Sequence, residues 1–238
     1  MNEEGPACLA LFFAQYFILC VVKKLGLIIF LVFSLLSADA HVVVQELENM
    51  SASDATGAYL LLGFEHILPL GLDHILFVLG LFLLSPQIKP LFSQSIAFTL
   101  AHSITLSLSM YGVITPPSRI IEPLIAISIV YVALENIFTN KVKPTRLGIV
   151  FLFGLIHGMG FAGALSEIGL PQNAYLLSLV MFNVGVELGQ ITVILLAYIL
   201  MARWFSNKPY YRHRIVMPLS IGIACIAAYW VVERIFFS

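Results

Sequence analysis

The chain has 238 residues, of which 60% are hydrophobic and only 11% are charged, and its formal net charge is −1. With a mean hydropathy of +0.99, this composition excludes an ordinary soluble domain, because too little polar surface would remain to face water. The near-neutral charge leaves no basic surface to attract nucleic acid, and three cysteines without a CxxC pair indicate neither a disulfide framework nor a thiolate metal site.

The N-terminal region has the pattern of a secretory signal peptide. Lys23 and Lys24 precede the apolar run Leu25–Leu36, and a segment of small residues then ends in Ala40. This order of basic, apolar and small-residue segments predicts a signal peptide over residues 1–40 that is cleaved after Ala40.

Two further features of this region bear on where the mature protein begins. Residues 1–22 place a second apolar stretch in front of the signal, which favours a start codon assigned too early; a genuine N-terminal helical hairpin is the alternative. Cleavage would leave His41 at the mature N-terminus, followed by a short polar segment over residues 41–56. We expect this segment to lie in the periplasm.

Six apolar segments follow, and each can reach the ~20 residues needed to cross a bilayer. The connections between them are short and rich in proline, so none can hold a second domain. Residues 57–238 are therefore predicted to form an all-α polytopic membrane bundle of six transmembrane helices. The predicted spans are Gly57–Leu84, Phe92–Tyr111, Ile120–Phe138, Leu147–Gly169, Ala174–Ala202 and Ile215–Phe237.

Basic residues in the connections test the orientation of these spans. With His41 outside, the positive-inside rule predicts that the cytoplasmic connections carry the excess of Lys and Arg. Eight basic residues fall in those connections and two lie on the outer side, which predicts a multi-pass protein of the bacterial inner membrane. The eight are Lys89, Lys141, Lys143, Arg146, Arg203, Lys208, Arg212 and Arg214, and the two are Arg119 and Arg234.

The first span carries ionisable residues around a helix-breaking pair. Such residues in a bilayer are costly unless they are paired, hydrated or coordinating, and each is therefore a functional candidate. His66 and Asp73 are seven residues apart, which on a continuous helix places them nearly on one face, with His74 about a quarter turn away. Pro69 and Gly71 lie between them and are expected to break the helix and bend the histidines together.

Three more spans carry polar residues near their midpoints. His102 lies in span two, His157 in span four, and Asn183, Glu187 and Gln190 share one face of span five. Four helices therefore supply polar groups at a similar depth. Imidazole with carboxylate suits Ni, Co, Zn, Cu or Fe without distinguishing them, so the group predicts a divalent transition-metal site.

Glycines spaced four residues apart predict where helices approach closely. Gly154 and Gly158 in span four and Gly185 and Gly189 in span five have this spacing. We expect spans four and five to pack together through them, which would bring His157 beside the carboxylate of span five. The same faces are candidates for contacts in a homo-oligomer.

Four motifs, in order, resemble the HupE/UreJ family of bacterial membrane proteins over residues 57–238. They read HxxxxxxDH from His66, FTLAHS from Phe98, GLIHG from Gly154 and FNxGxExGQ from Phe182. Members near hydrogenase and urease genes are regarded as nickel permeases, so the resemblance implies nickel or cobalt transport. Here six residues separate His66 from the Asp-His pair where the better-known permeases have five, and the chain looks closer to the less characterised second branch of the family.

By this resemblance, His66, Asp73 and His74 are the metal-selecting group, and His102 and His157 follow as ligands from the second and fourth spans. A cation would exchange its waters for the first group and then pass inward. Candidate pathway residues are Glu65, Ser103, Glu135, Asn183, Glu187 and Gln190. His41, with its free amine, is a candidate for first capture of metal, and a disordered end is the alternative.

Two other functions remain open at this stage. Three histidines with a carboxylate and one open position also describe a catalytic zinc site, so a membrane-embedded metal-dependent hydrolase is the main alternative. A non-transporting metal sensor or assembly partner is the second. A polar path open in turn to both sides of the membrane would favour a carrier over either.

Overall fold

The structure is a computed structural model that describes residues 51–85, 87–139 and 141–237, and regular structure in these ranges is helical. The expected signal peptide and His41 lie outside the described residues. Ser51 caps the N-terminus of the first helix, because its hydroxyl accepts a hydrogen bond from the backbone N–H of Asp54 at 3.3 Å. The helices are α1 (Ala52–Ile67), α2 (Leu72–Leu84), α3 (Ile88–Met110), α4 (Ser118–Phe138), α5 (Arg146–Ile168), α6 (Tyr175–Phe205) and α7 (Arg212–Phe236).

Helices α1 and α2 form a pair separated by a sharp break. The other five helices are each long and apolar enough to cross a membrane. Helices α1 and α2 reach that length and hydropathy only when they are taken together, and the pair is bent by 66°. The prediction of an all-α polytopic bundle is therefore confirmed for the described part of the chain, with five spans, or six if the bent pair counts as one. The break lies where it was expected, because Pro69 cannot donate a backbone hydrogen bond and Gly71 sits against the backbone of His66, where a Cβ atom would collide.

The helices pack in three extensive pairs, which are α1 with α6, α3 with α5, and α4 with α7. Glycines make the first two pairs possible. Gly185 of α6 lies against the backbone of Leu60 and Phe64, and Gly158 of α5 lies against the carbonyl of His102. The expected pairing of spans four and five through their glycines is wrong, because each glycine face is occupied by a different helix.

This pairing also removes the basis for an oligomer built on these glycine faces. Gly154 contacts Phe98 of α3, and Gly189 contacts Ile67 of α1. Both faces are therefore buried inside the chain, where a second copy cannot reach them. Homo-oligomerisation by another surface stays a prediction.

Polar contacts join the ends of α4, α5 and α7 on one side of the bundle. Arg146, which the sequence pattern places in a loop, is the first residue of α5 and is buried, with its guanidinium 3.2 Å from the carboxylate of Glu135. Arg212 donates hydrogen bonds to the carbonyls of Thr139 and Ile137 at 2.9 and 3.1 Å. These bonds satisfy carbonyls at the C-terminal end of α4 that have no partner within the helix.

Candidate metal centre

The bend between α1 and α2 brings the rings of two histidines together edge to face. His66 lies in the last turn of α1 and His74 in the first turn of α2, and their ring centroids are 4.7 Å apart. His102 of α3 completes the group, with ring centroids 6.1 Å from His66 and 5.9 Å from His74. One nitrogen from each of the three rings lies within 4.8 Å of the others. Three helical segments therefore direct imidazole nitrogens at one point.

The arrangement differs from the one expected for a continuous helix. Periodicity placed His66 and Asp73 on one face, with His74 turned aside. In the structure His66 and His74 meet instead, because the break at residues 68–71 ends the helical register. The structure shows the expected bending of the histidines toward each other, whereas the one-face relation of His66 and Asp73 applies only to a continuous helix, which this segment is not.

The ring nitrogens of this group are buried without hydrogen-bond partners among the described residues. They are Nε2 of His66, Nε2 of His74 and both nitrogens of His102; the Asn183 side chain interacts with the His102 ring but forms no hydrogen bond of ordinary geometry with it. Aromatic rings close the site, since Phe161 lies 3.8 Å from His66 between ring centroids and stacks on Phe182 at 5.1 Å. An unpartnered buried polar atom costs free energy. A cation held by these lone pairs would remove that cost, so the donor set fits a metal ion.

Asp73 orients one of the three rings. Its Oδ1 accepts a hydrogen bond from the backbone N–H of His74 at 3.0 Å and lies 3.2 Å from Nδ1 of the same residue. A proton on Nδ1 donated to this carboxylate leaves the lone pair on Nε2, the buried nitrogen that has no hydrogen-bond partner among the described residues. The second oxygen of Asp73 lies 3.9 Å from the guanidinium of Arg234. In this arrangement Asp73 acts on the cluster through His74.

His157 lies behind His74, outside the group of three nitrogens. Their ring centroids are 5.0 Å apart, and Nε2 of His157 is 3.0 Å from the hydroxyl of Ser128. That hydroxyl donates its only proton to the carbonyl of Ile125 at 2.7 Å. Nε2 of His157 must therefore carry a proton and donate to Ser128, which makes His157 a hydrogen-bonded neighbour of the cluster.

The predicted pathway residues do not gather at one place. Glu187 and Gln190 bond to side chains of α3, so the expectation that His157 lies beside Glu187 is wrong. The hydroxyl of Ser103 donates to the carbonyl of Thr99 at 2.6 Å. Asn183 stands next to His102.

The remaining two pathway candidates lie apart from these. Glu135 forms the ion pair with Arg146. Glu65 is half-buried, and its carboxylate takes part in no ion pair within the described ranges. Neither one is brought into the group of three histidines.

Sequence reasoning missed four polar residues that shape this region, namely Ser95, Thr99, Ser128 and Arg234. A signal existed for two of them. Ser95, Thr99 and Ser103 are spaced four residues apart and therefore lie on one face of α3, which makes that face polar. No local pattern could pair Arg234 with Asp73, since the two are far apart in the chain and meet only through the packing of the helices.

Apolar helices around a buried group of three histidines define an integral membrane protein with a candidate metal centre. A family model described as HupE / UreJ protein matches residues 39–234, and the chain belongs to this family, which is known for nickel and cobalt transport. The predicted family is therefore confirmed. No curated protein and no solved structure matched the chain.

Proposed function

We propose that this protein is a carrier of divalent transition metals of the nickel and cobalt type. It would lie in the bacterial inner membrane with its mature N-terminus in the periplasm. The observation that carries the proposal is the group of unpartnered nitrogens from His66, His74 and His102 inside the helical bundle. Family membership supports it independently.

In this proposal the cation is the cargo, and the three imidazoles replace part of its water shell. Neutral imidazole nitrogens suit Ni, Co, Zn, Cu and Fe, and the donor set does not favour one of them. Asp73 holds His74 in the tautomer that presents Nε2 and contributes a negative charge near the cation. A carboxylate bonded to a ligating histidine raises its basicity and fixes its orientation.

The position of Asp73 supports entry from one end of the bundle. Asp73 is 24% exposed, whereas His74 beside it is only 3% exposed. Arg234, its ion-pair partner, also donates a hydrogen bond to the carbonyl of Glu122 in the first turns of α4. By the charge distribution of the connections, this end faces the periplasm. A cation arriving there would meet the Asp73 carboxylate before the buried nitrogens.

The surroundings of the cluster support a carrier more than a hydrolase. A metal-dependent hydrolase needs a carboxylate or hydroxyl free to act on a metal-bound water. Asp73 is engaged by His74 and Arg234, and the hydroxyl of Ser128 is engaged by Ile125 and His157. Neither group is free to serve as a general base in this arrangement.

Uptake of radiolabelled metals tests the proposal directly. Cells that express the protein should accumulate nickel or cobalt faster than cells without it, and zinc and copper measured in parallel would define selectivity. A variant with His66→Ala and His102→Ala should reduce uptake to the background at equal membrane abundance. Equal accumulation of all four metals with and without the protein would contradict the proposal.

A further inference from the structure

A ring of four polar side chains joins α3 to α6. The hydroxyl of Ser95 lies 3.1 Å from Oε1 of Glu187 and 3.0 Å from Oε1 of Gln190. The hydroxyl of Thr99 lies 2.5 Å from Oε2 of Glu187 and 3.1 Å from Nε2 of Gln190. Each member of this ring therefore contacts two others, and the ring holds four polar contacts.

An ionised Glu187 cannot complete these four contacts. Ser95 and Thr99 have one hydroxyl proton each, and the amide of Gln190 directs its nitrogen to one neighbour only. Three protons are then available for four contacts, and exchanging the amide oxygen and nitrogen of Gln190 does not change this number. Two oxygen atoms would then be in contact with no proton between them. Such a contact is costly inside a bilayer.

A protonated Glu187 supplies the fourth proton and closes the ring. Its Oε1–H donates to Ser95, Ser95 donates to Oε1 of Gln190, the amide of Gln190 donates to Thr99, and Thr99 donates to Oε2 of Glu187. Every donor then has one acceptor, and all four observed contacts become hydrogen bonds. With the amide oxygen and nitrogen of Gln190 exchanged, the same ring closes in the opposite direction, and it again needs a proton on Glu187.

The charged neighbours of Glu187 agree with a neutral side chain. The helices packed against α6 carry Asp54, Glu65, His66, Asp73, His74 and His102, together with Lys89 near the start of α3, and α6 itself carries Arg203. None of these basic groups lies within 4.0 Å of the Glu187 carboxylate, in the part of the chain that the structure describes. Among the described residues, the half-buried carboxylate of Glu187 is therefore bonded to the hydroxyls of Ser95 and Thr99 and paired with no cation.

From this geometry we infer that Glu187 is a proton-binding site, loaded with its proton in the arrangement described. Thr99 lies three residues from His102, so the ring is about one helical turn from the histidine cluster, ~4.5 Å along the axis. Loss of the proton would leave Ser95 facing two acceptor oxygens with one proton, and one contact between α3 and α6 would be lost.

A groove of about 350 Å³ runs between the same two helices, and Thr99, Ser103, Asn183 and Glu187 are among its lining residues. Loss of a contact in the ring would weaken the attachment of α3 to α6 along this groove. A proton on Glu187 is therefore suited to exchange with a passing cation. This coupling rests on the proposed function, whereas the proton site itself does not.

Infrared difference spectroscopy of the purified protein tests the proton directly. At neutral pH and without metal, the difference between the parent and Glu187→Gln should contain the carbonyl band of a protonated carboxylic acid, and the band should shift in heavy water. Glu122→Gln is the matched control, and the difference between the parent and this variant should not contain that band. A difference spectrum that contains only carboxylate bands would show that Glu187 is ionised and would overturn the inference.

The stability of the same variant gives a second measure. The amide of a glutamine at position 187 can donate to Ser95 and accept from Thr99 as a protonated acid does, so its thermal midpoint should stay within a few degrees of the parent. Glu187→Ala opens the ring and should lower the midpoint more. A glutamine variant that is as unstable as the alanine variant would mean that the ring needs a charge, which contradicts the proposal.

Proteoliposomes with a trapped pH-sensitive dye separate coupling from binding. Ni²⁺ uptake by the parent should move protons in the opposite direction, and Glu187→Gln should bind Ni²⁺ with unchanged affinity but move no protons. Uptake by the parent without proton movement would overturn the coupling. Absence of Ni²⁺ binding by the parent would instead overturn the proposed function, and the infrared result would still decide the protonation of Glu187.

Discussion

The substitution Asp73→Asn tests the candidate metal centre most sharply. Asparagine has nearly the same size as aspartate, and its Oδ1 can accept the hydrogen bonds that now come from the backbone and ring of His74. The change therefore removes a negative charge and little else. We expect weaker binding of a divalent cation, because the charge that offsets the cation is lost.

The geometry sets the size of this effect. Oδ1 of Asp73 lies 3.2 Å from Nδ1 of His74. The ring adds about 2 Å and a metal–nitrogen bond about 2 Å, so the charge is ~7 Å from the cation. Between charges of −1 and +2 at that distance, the Coulomb energy is about 1 kcal/mol in water and about 5 kcal/mol at an effective dielectric constant of 20.

Asp73 is partly exposed and lies near the guanidinium of Arg234. Both facts favour a Coulomb energy in the lower half of the range from about 1 to about 5 kcal/mol. Substitution of a residue bonded to a metal-ligating histidine typically costs 10- to 100-fold in affinity. We therefore expect the Kd of Ni²⁺ to rise about 10- to 100-fold in Asp73→Asn. Removal of a ligand in His74→Ala should cost at least as much.

Competition with a chromophoric chelator, or titration calorimetry in detergent, would measure these affinities. Gel filtration and thermal unfolding would confirm that each variant is folded. Glu122→Gln is the control, since it removes an acidic charge near the same end of the bundle without touching the cluster, and it should change the Kd less than about twofold. A folded Asp73→Asn variant that binds Ni²⁺ like the parent would refute the role of this carboxylate.

Three further predictions follow from the packing, the topology and the chemistry of imidazole. Gly158→Ala should destabilise the protein by about 1–3 kcal/mol, because the new methyl group would overlap the carbonyl of His102. The control is Gly163→Ala, whose methyl group would meet nothing within 4 Å, and it should lower the thermal midpoint little. A reporter tag at position 142 should lie in the cytoplasm and one at position 172 in the periplasm, and the opposite result at either position would contradict the proposed orientation. Ni²⁺ binding should weaken as the pH falls, because coordination requires unprotonated imidazole; a titration series that shows equal affinity in acidic and neutral buffer would count against histidine ligands.

Local properties of the chain were enough to predict the architecture. Each span is a long apolar run, and a bilayer accepts such a run only as a helix with its backbone hydrogen bonds satisfied internally. The break in the first span was also predictable, since Pro69 removes a donor whatever surrounds it. The histidines could be singled out because ionisable residues are rare within apolar spans.

Contacts between distant residues could not be predicted in the same way. The glycine spacings showed that helices approach closely, but each glycine face could fit several partners, and only the packing selected α3 for Gly158 and α1 for Gly185. That selection placed His157 against Ser128 and directed Glu187 toward the hydroxyls of α3.

The roles of individual polar groups depend on this packing. Asp73 and His74 are adjacent in the sequence. Only the three-dimensional structure shows that the break directs the His74 ring inward and leaves the Asp73 carboxylate bonded to that ring. The sequence by itself determined that the chain spans a membrane and carries buried imidazoles, because hydropathy and side-chain chemistry belong to the residues. Only the tertiary structure decided which nitrogens meet and which carboxylates stand beside them, because those distances depend on how separate helices pack.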